Sequence, residues 1–595
     1  MKVSRFVSMF ILIVALIMLG IFQSGYDAVV EENAKNKGSS EKAQYVVFSS
    51  DDILKDNISD NFALYINDDP YDVVTMYLTV RQGNAAEGTD HTWEEINTYS
   101  AYEYEELGID RYKVAGLLQV GDENGPVFGE LGYGETAPNA TVNIRGQTST
   151  SYDQKNYKIE IKDNRGDFRG QTTIALNKHQ MDGLRFRNKL CFDLMTGIDQ
   201  MMSLRTQFVH LYVNDLTDGS DDGFEDYGLY TQVEQLNKTA LKTHGLNKNG
   251  YLYKINYFEF FRYEDAIKLV DDPDFDLAEF ETYMEIKSSN DNTKLIEMIE
   301  DVNDYSIPID TVLEEHFNVE NLAYWLAFHI LTGNVDTSCR NFYLYSPVNV
   351  DTWYILSWDN DDSFMVTERE MRGNVEYGGW QMGVSTYWGN VLFQRCLKSD
   401  KFRQVLDQAV QDELAYMTPE RLSSMISEYS KVVRPYVFSG RDALYTSLTK
   451  EQYDTLVSKI PYEPQYYYQE YLNSLEKPQP FYIGDISYEN GILSTMWDSS
   501  YDFDQETITY TVTIARDYEL KDVIATYSGV WTNISQQIDL EPGNQYFLAV
   551  TATNESGYSQ GAFDYYIAND SYYYGMKSFY LDLDGSVIAD FEVTE

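Results

Sequence analysis

NVENLAYWLAFHILTGNVDTSCRNFYLYS (318–346), followed closely by TWYILSWDNDDSF (352–364), decides the reading of this 595-residue chain. The first half carries an apolar helical pattern, with Asn318 placed as an N-cap and Gly333 where a helix would stop. FYLYS and TWYILSW then read as two strands joined by PVNVD. Polar residues sit at the ends of these apolar elements: Asp336 and Asn341 after the helix, and a run of acids from Asp359 after the second strand. Side chains at the ends of buried elements are held better than those in free loops. Phosphoryl transfer asks a protein for little else: a carboxylate to orient the attacking hydroxyl, and oxygen ligands for the divalent ion on the phosphates. Asp336 and Asn341 have D-x-x-x-x-N spacing, so Asp336 reads as the base and Asn341 and Asp359 as ligands of Mg²⁺ or Mn²⁺. The plainer reading is a turn cap followed by a solvated acidic loop, and D-x-x-x-x-N alone is a weak signal in a chain this rich in Asp and Asn.

Upstream, TVNIRGQTSTSYDQKNYKIEIKD (141–163) reads strand, polar loop, strand, with Tyr157, Ile159 and Ile161 on one face of the second strand. A loop with Arg145, Gly146, Thr148 and Ser149 can cradle phosphates through backbone N–H groups, hydroxyls and a cation. Lys155 and Lys158 are the candidate phosphate cations, and an ordinary hairpin with solvent-facing lysines is the alternative. Glu234, at the end of the strand YGLYTQVEQ, is a candidate for positioning the lysine. RFRNKLCFDLMTGI (185–198) reads as a helix, as does most of 385–475. The acidic stretch 215–226 does not have EF-hand spacing.

The remaining organisation follows from composition. Ninety-five acidic against 45 basic residues give a net charge of −50, which disfavours nucleic acid and anionic lipid as partners. Cys191, Cys339 and Cys396 are too scattered for a structural zinc site, and the six histidines show no metalloenzyme spacing. His329 reads as a core residue. Lys2 and Arg5 precede an apolar run, Phe6 to Phe22, which reads as an export signal, either a cleaved peptide or an uncleaved membrane anchor. The expected division is a signal at 1–26, a polar linker at 27–43, a β-rich region at 44–140 containing the runs FALYIN and VVTMYLTV, a central domain at 141–476 and a β domain at 477–595. GTDHTWEEINTYSAYEYEELG (88–108) reads as acidic surface. In the last domain Trp497 and Tyr546 are expected core residues of a fibronectin- or immunoglobulin-like sandwich.

The ordered set RGQTSTSYDQKNYKIEIKD, YGLYTQVEQLNK, GYLYKIN, NVDTSCRNFYLY and WYILSWDNDDSF resembles the spore coat protein H (CotH) kinase family over roughly residues 140–475. The resemblance implies an α+β, divergent protein-kinase-like fold, and transfer of phosphate from ATP to protein hydroxyls, typically serine, in secreted or spore-coat settings. It places Asp336 on the family's catalytic Asp, Asp359 on its metal-binding Asp, Asn341 beside them, Asp361 in the same W-D-x-D motif, and Arg145-Gly146 with Lys155 on the phosphate side. The family's basic pair is here Gln154-Lys155, which leaves Lys155 and Lys158 as alternatives. The expected protein is thus an exported ATP- and metal-dependent protein kinase acting on a coat or cell-surface protein. The alternative is a non-catalytic surface protein whose tyrosine clusters, PYEPQYYYQEY and SYYYG, bind cell-wall carbohydrate.

Overall fold

The computed structural model describes residues 58–589 apart from 59, 67, 290, 374–378 and 570; the apolar run at 6–22 lies outside them. Among the described residues no helix is long and apolar enough to cross a membrane. The chain is a mixed α+β protein.

Alternating side chains build its first layer. Strands β1 (Val73–Arg81), β2 (Val114–Asp122), the short β3 (Gly125–Pro126), β4 (Ala140–Arg145), β5 (Asn156–Ile161), β6 (Thr173–Asn177), β7 (Thr206–Asp215) and β8 (Glu225–Glu234) form one sheet in the order β1-β7-β8-β6-β5-β4-β2-β3. An additional antiparallel pairing of β1 with β2 closes it, so seven strands run in a circuit around one apolar interior. Ala140, Val142 and Ile144 of β4 and Tyr157, Ile159 and Ile161 of β5 all belong to that interior. Side chains alternate along a strand, so Arg145, one residue after Ile144, points outward. β1 pairs in parallel with β7, and the expected boundary at residue 140 therefore falls inside a continuous sheet.

Two short helices close one end of the circuit. Trp93–Thr98 and Ala101–Leu107 are each started by a capping box, Thr92 with Glu95 and Ser100 with Glu103. Each box satisfies two backbone N–H groups that a helix start leaves bare. The helices bury Trp93, Ile96 and Tyr104 against the strands, so 88–108 is a plug with an acidic outer face rather than wholly surface. FALYIN departs from the strand expectation too: Phe62–Tyr65 is a 3₁₀ turn. Tyr65 is held there by Asp60 (2.6 Å) and the Ser203 carbonyl (3.0 Å).

The second layer is helical around a four-stranded sheet. β9 (Tyr251–Ile255), β10 (Met284–Ile286), β11 (Phe342–Ser346) and β12 (Tyr354–Ser357) run in the order β10-β9-β11-β12. Helix Val319–Thr332 has Asn318 as N-cap, its side chain accepting from the Asn321 N–H, and Gly333 as its left-handed stop at φ 65°, as the sequence predicts. A Cβ at Gly333 would run into the Tyr467 ring. His329 is buried in this core, and burial pushes its pKa down to about 3. Residues beyond 480 form three further sheets, one of them a two-stranded hairpin, and their core contains Trp497 and Tyr546.

Candidate functional site

The hairpin β11–β12 explains why Asn341 and Asp359 meet. Its strands are antiparallel with Phe342 opposite Ser357, so the residue before β11 and the residues after β12 are neighbours at the open end of the hairpin. The Trp358 N–H donates to the Asn341 carbonyl (3.0 Å). Both flanking residues are left-handed, Asn341 at φ 61° and Asp359 at φ 50°. Asn and Asp are the non-glycine residues that tolerate this region best, which suits them to the two positions where the hairpin ends.

Asp336 arrives from the other side, in a 3₁₀ turn after Gly333. The Asn334 side chain accepts from the Asp336 N–H. Thr337 Oγ1 donates to the Asn334 carbonyl (2.9 Å) and shares a hydrogen bond with the Tyr387 hydroxyl (2.9 Å). Asn390 donates to the Ser338 carbonyl (2.9 Å), and the Phe258 N–H to that of Cys339 (2.7 Å). The loop is thus fixed at successive residues while the Asp336 carboxylate stays 37% exposed, paired with Arg340.

The acidic run is crowded. Burial, then the neighbouring Asp361 carboxylate, push Asp359 up to about 7; burial, with Asp336 and Asp361 adding to it, does the same to Asp362. Burial would also raise Asp361, but its contact with His179 Nδ1 (3.4 Å) outweighs that and holds it below the usual carboxylate range. His179 has left-handed backbone and was not singled out by the sequence; its Nε2 lies 3.4 Å from Asn188. Asn188 in turn accepts from the Asn360 N–H (3.0 Å), so the start of helix Arg187–Met195 holds the acidic run directly at Asn360 and, through His179, at Asp361. Fully buried Arg187 adds ion pairs to Asp182 and to Glu368 on helix Val366–Arg372.

On the phosphate side the candidates separate. Arg145 reaches the acids: Asp359 and Asp361 both act on its guanidinium, which stacks 5.6 Å from the Trp358 ring and donates to Asn177. Gly146, at φ 98°, turns the chain where a Cβ would strike Ser149. Thr148 is exposed beside Tyr102. The Lys155 ammonium donates to the Thr150 carbonyl of its own loop (2.6 Å) and Lys158 pairs with Glu160 (2.8 Å) on the outer face of β5; neither contact joins Arg145. Lys155 instead lines a cavity of about 270 Å³ at the plugged end, with Trp93, Tyr157, Tyr227 and Tyr230. Glu234 is buried and bonds His244 Nε2 (2.7 Å) and the Arg205 N–H (3.1 Å), a cluster that pins the chain near Asp60 rather than a lysine.

Asn341, Asp359 and Asp361 present hard oxygen donors of the kind Mg²⁺ and Mn²⁺ prefer. The side-chain oxygen of fully buried Asn360 and one oxygen of Asp362 have no hydrogen-bond partner. Orphaned oxygens among crowded carboxylates are a donor set of the kind a divalent cation accepts.

The family description "CotH kinase protein" matches residues 142–463. The chain belongs to the CotH kinase family. A curated CotH relative, the inner spore coat protein H of Bacillus subtilis (strain 168), is 22% identical over 311 residues, covering 50% of this chain and 77% of that protein. Two solved structures align over 53% of the chain at 9% identity: the Helicobacter pylori proinflammatory kinase CtkA (93% of that chain, TM-score 0.27) and the Shewanella oneidensis MR-1 toxin–antitoxin complex of HipA, HipB and operator DNA (58%, TM-score 0.20).

Proposed function

We propose that this CotH-family chain is a protein kinase that uses ATP and a divalent metal to phosphorylate a hydroxyl, serine by family resemblance, on an extracytoplasmic coat or cell-surface protein. The observation that carries this reading is the meeting of Asn341 and Asp359 across the β11–β12 hairpin, with Asp336 close enough to act on the Asp359 carboxylate. Asp336, exposed at the loop surface, would accept a hydrogen bond from the acceptor hydroxyl and orient its oxygen. Arg145 would meet phosphate oxygens from the opposite side, the guanidinium fork suiting that geometry. Asn341, Asp359 and Asp361 would hold the metal, which when bound supplies neutralisation of phosphate charge. Helix Arg187–Met195 keeps the acidic run in place through Asn188, so less reorganisation is needed when substrate binds.

The expected export signal fits such a setting, and a fibronectin-like C-terminal domain fits the strand pairing there. Ser487–Glu489, Ile492–Met496 and Asn533–Gln537 form one sheet, and Val523–Gly529, Thr509–Ala515, Asn544–Thr553 and Met576–Leu581 pair in that order in another. Tyr546 hydrogen-bonds back to the Glu541 carbonyl (3.0 Å), the tyrosine-corner contact of such sandwiches. A non-catalytic, carbohydrate-binding alternative rests on the hairpin Tyr565–Ala568 with Ser571–Tyr574, where Tyr565 and Tyr572 are exposed. The other tyrosine cluster lies on helix Glu463–Glu476 with Tyr467 and Tyr471 buried, which is packing.

The test is ATP binding by calorimetry with and without Mg²⁺, alongside Asp336→Ala and Asp359→Ala. The kinase reading expects metal-dependent binding lost in Asp359→Ala and retained in Asp336→Ala, with transfer lost in both. Unaltered transfer in both variants would sink it.

A further inference from the structure

The loop that carries Asp336 hangs from the strip 383–390. The Tyr387 hydroxyl shares a hydrogen bond with Thr337 (2.9 Å), and Asn390 donates to the Ser338 carbonyl (2.9 Å). These contacts fix the two residues directly after Asp336. Apart from the 3₁₀ turn Gly383–Tyr387, the strip has no regular structure of its own, so its position is set by what it packs against.

Much of that packing comes from the C-terminal β domain. The Trp388 ring lies 5.3 Å from Tyr501 and edge-on to Phe503 at 5.8 Å. Lys398 sits over both Trp388 (5.1 Å) and Tyr501 (5.4 Å), and Arg403 over Phe503 (5.1 Å). These cations stand on helices Val391–Lys398 and Asp400–Tyr416, so cation–π contacts tie the aromatic layer to the helical domain. The Ser385 hydroxyl donates to the Gln479 side chain (3.0 Å), and the Gln479 N–H donates to the Tyr501 carbonyl (2.7 Å). A Cβ on Gly389 would stand 3.6 Å from the Phe563 ring, and Trp380 meets that ring edge-on at 5.1 Å. Phe563 is buried in the core that holds Trp325 and Tyr387, not in the one around Trp497 and Tyr546. A domain that merely rode on its neighbour would keep such a ring in its own core. Here it completes the core beneath the strip.

We propose that the C-terminal β domain is a positioning element of the transfer site: Tyr501, Phe503 and Phe563 hold the strip 383–390, and the strip holds Asp336 where an acceptor hydroxyl can reach it. The proposal rests on the kinase reading and adds the part of the chain that sets its turnover. Tyr501, Phe503 and Phe563 are positioning residues, acting through Tyr387 and Asn390. Asn341, Asp359 and Asp361 stand at the end of the β11–β12 hairpin, and the acidic run is held by helix Arg187–Met195 through Asn188 rather than by the strip. Loosening the strip therefore displaces the Asp336 loop and leaves the metal and phosphate side in place.

The experiment uses the full chain and the double variant Tyr501→Ala/Phe503→Ala. Both rings are half-buried, so their loss can be borne without loss of the fold. Amide hydrogen exchange in 383–390 and in 334–340 should rise together, by about tenfold or more, while helix Val319–Thr332 and strands β4 to β8 exchange as in wild type. With ATP, Mg²⁺ and a serine-containing protein acceptor, kcat should fall about tenfold and the KM for ATP stay within about twofold, the signature of a displaced catalytic group. Tyr501→Phe/Phe503→Tyr keeps both rings and should match wild type in both readouts. Faster exchange at 383–390 without any at 334–340 overturns the proposal. So does faster exchange throughout the chain, or a rise in the KM for ATP as large as the fall in kcat. Wild type that transfers no phosphate overturns the kinase reading instead, and the exchange data then still decide whether the β domain holds the Asp336 loop.

Discussion

His244→Gln tests whether Glu234 belongs to the fold's foundations rather than to the phosphate site. His244 is fully buried between Asp60 (2.6 Å) and Glu234 (2.7 Å). Burial alone would lower its pKa, but the two carboxylates overcome that and push it from 6.5 up to about 10. A group whose folded pKa is raised stabilises the fold fully below its unfolded pKa, and the contribution is lost as pH rises through the folded value. Each pKa unit is about 1.4 kcal/mol. The full contribution is therefore about 5 kcal/mol well below pH 6.5, about 3 kcal/mol near pH 7.5, and close to zero above pH 10. His244→Gln removes the cation and leaves the Asp60 and Glu234 carboxylates facing each other with no compensating positive charge, a situation that costs about 3–5 kcal/mol in buried pairs. Urea unfolding of both proteins at intervals from pH 6 to pH 9.5 measures this. The wild type should lose stability steadily over that range, and the variant should start lower and lose markedly less. Parallel curves in the two proteins would refute the assignment of His244 as a buried cation and reopen Glu234 as a partner for a phosphate-side lysine.

Three further outcomes follow from the same structure. Glu413 is fully buried with neither carboxyl oxygen hydrogen-bonded, and burial holds its pKa well above the ordinary value; a raised carboxylate destabilises the fold once pH exceeds the unfolded pKa, so Glu413→Leu should raise stability by about 1–3 kcal/mol at pH 7, with the gain shrinking toward pH 4, as read by thermal unfolding. Tyr387→Phe deletes the hydroxyl that holds Thr337 and should lower kcat about two- to tenfold, the worth of one neutral hydrogen bond, with the KM for ATP unchanged; an equal rise in that KM would show the loop and nucleotide sites to be one unit. Asp359→Asn relieves crowding against Asp361 and should leave the metal-free protein at least as stable as wild type, while Mg²⁺ with ATP raises the melting temperature of wild type only.

The sequence was most legible where periodicity and punctuation agree. Asn318, the apolar pattern and Gly333 delimit one helix because the cap and the left-handed stop each solve a backbone problem locally. The pairing of Asn341 with Asp359 was legible because two strands joined by a short turn must bring their outer ends together. What the sequence hid was long-range or masked by charge. His179 lies 182 positions from Asp361, and nothing local marks it. The plug helices were obscured by their acidic faces, although T-x-x-E and S-x-x-E at Thr92 and Ser100 are capping-box signatures that could have found them. The region before residue 140 read as separate because a parallel β1–β7 pairing has no local signature at all. Lysines are equally poor guides, since a strand's exposed face and a phosphate site use the same residue; Lys158 and Lys155 have partners only the folded chain supplies.

The central claim is that Asp359 and Asp336 serve phosphoryl transfer, and it is met most directly by incubating the full chain with γ-labelled ATP and Mg²⁺ or Mn²⁺ beside Asp336→Asn and Asp359→Asn. The account predicts metal-dependent label on the chain or on a serine-containing protein acceptor with wild type, reduced by at least about a hundredfold in either variant, while circular dichroism shows all three folded alike. Label incorporated equally by all three proteins, or by none of them in the presence of both metals, would contradict it.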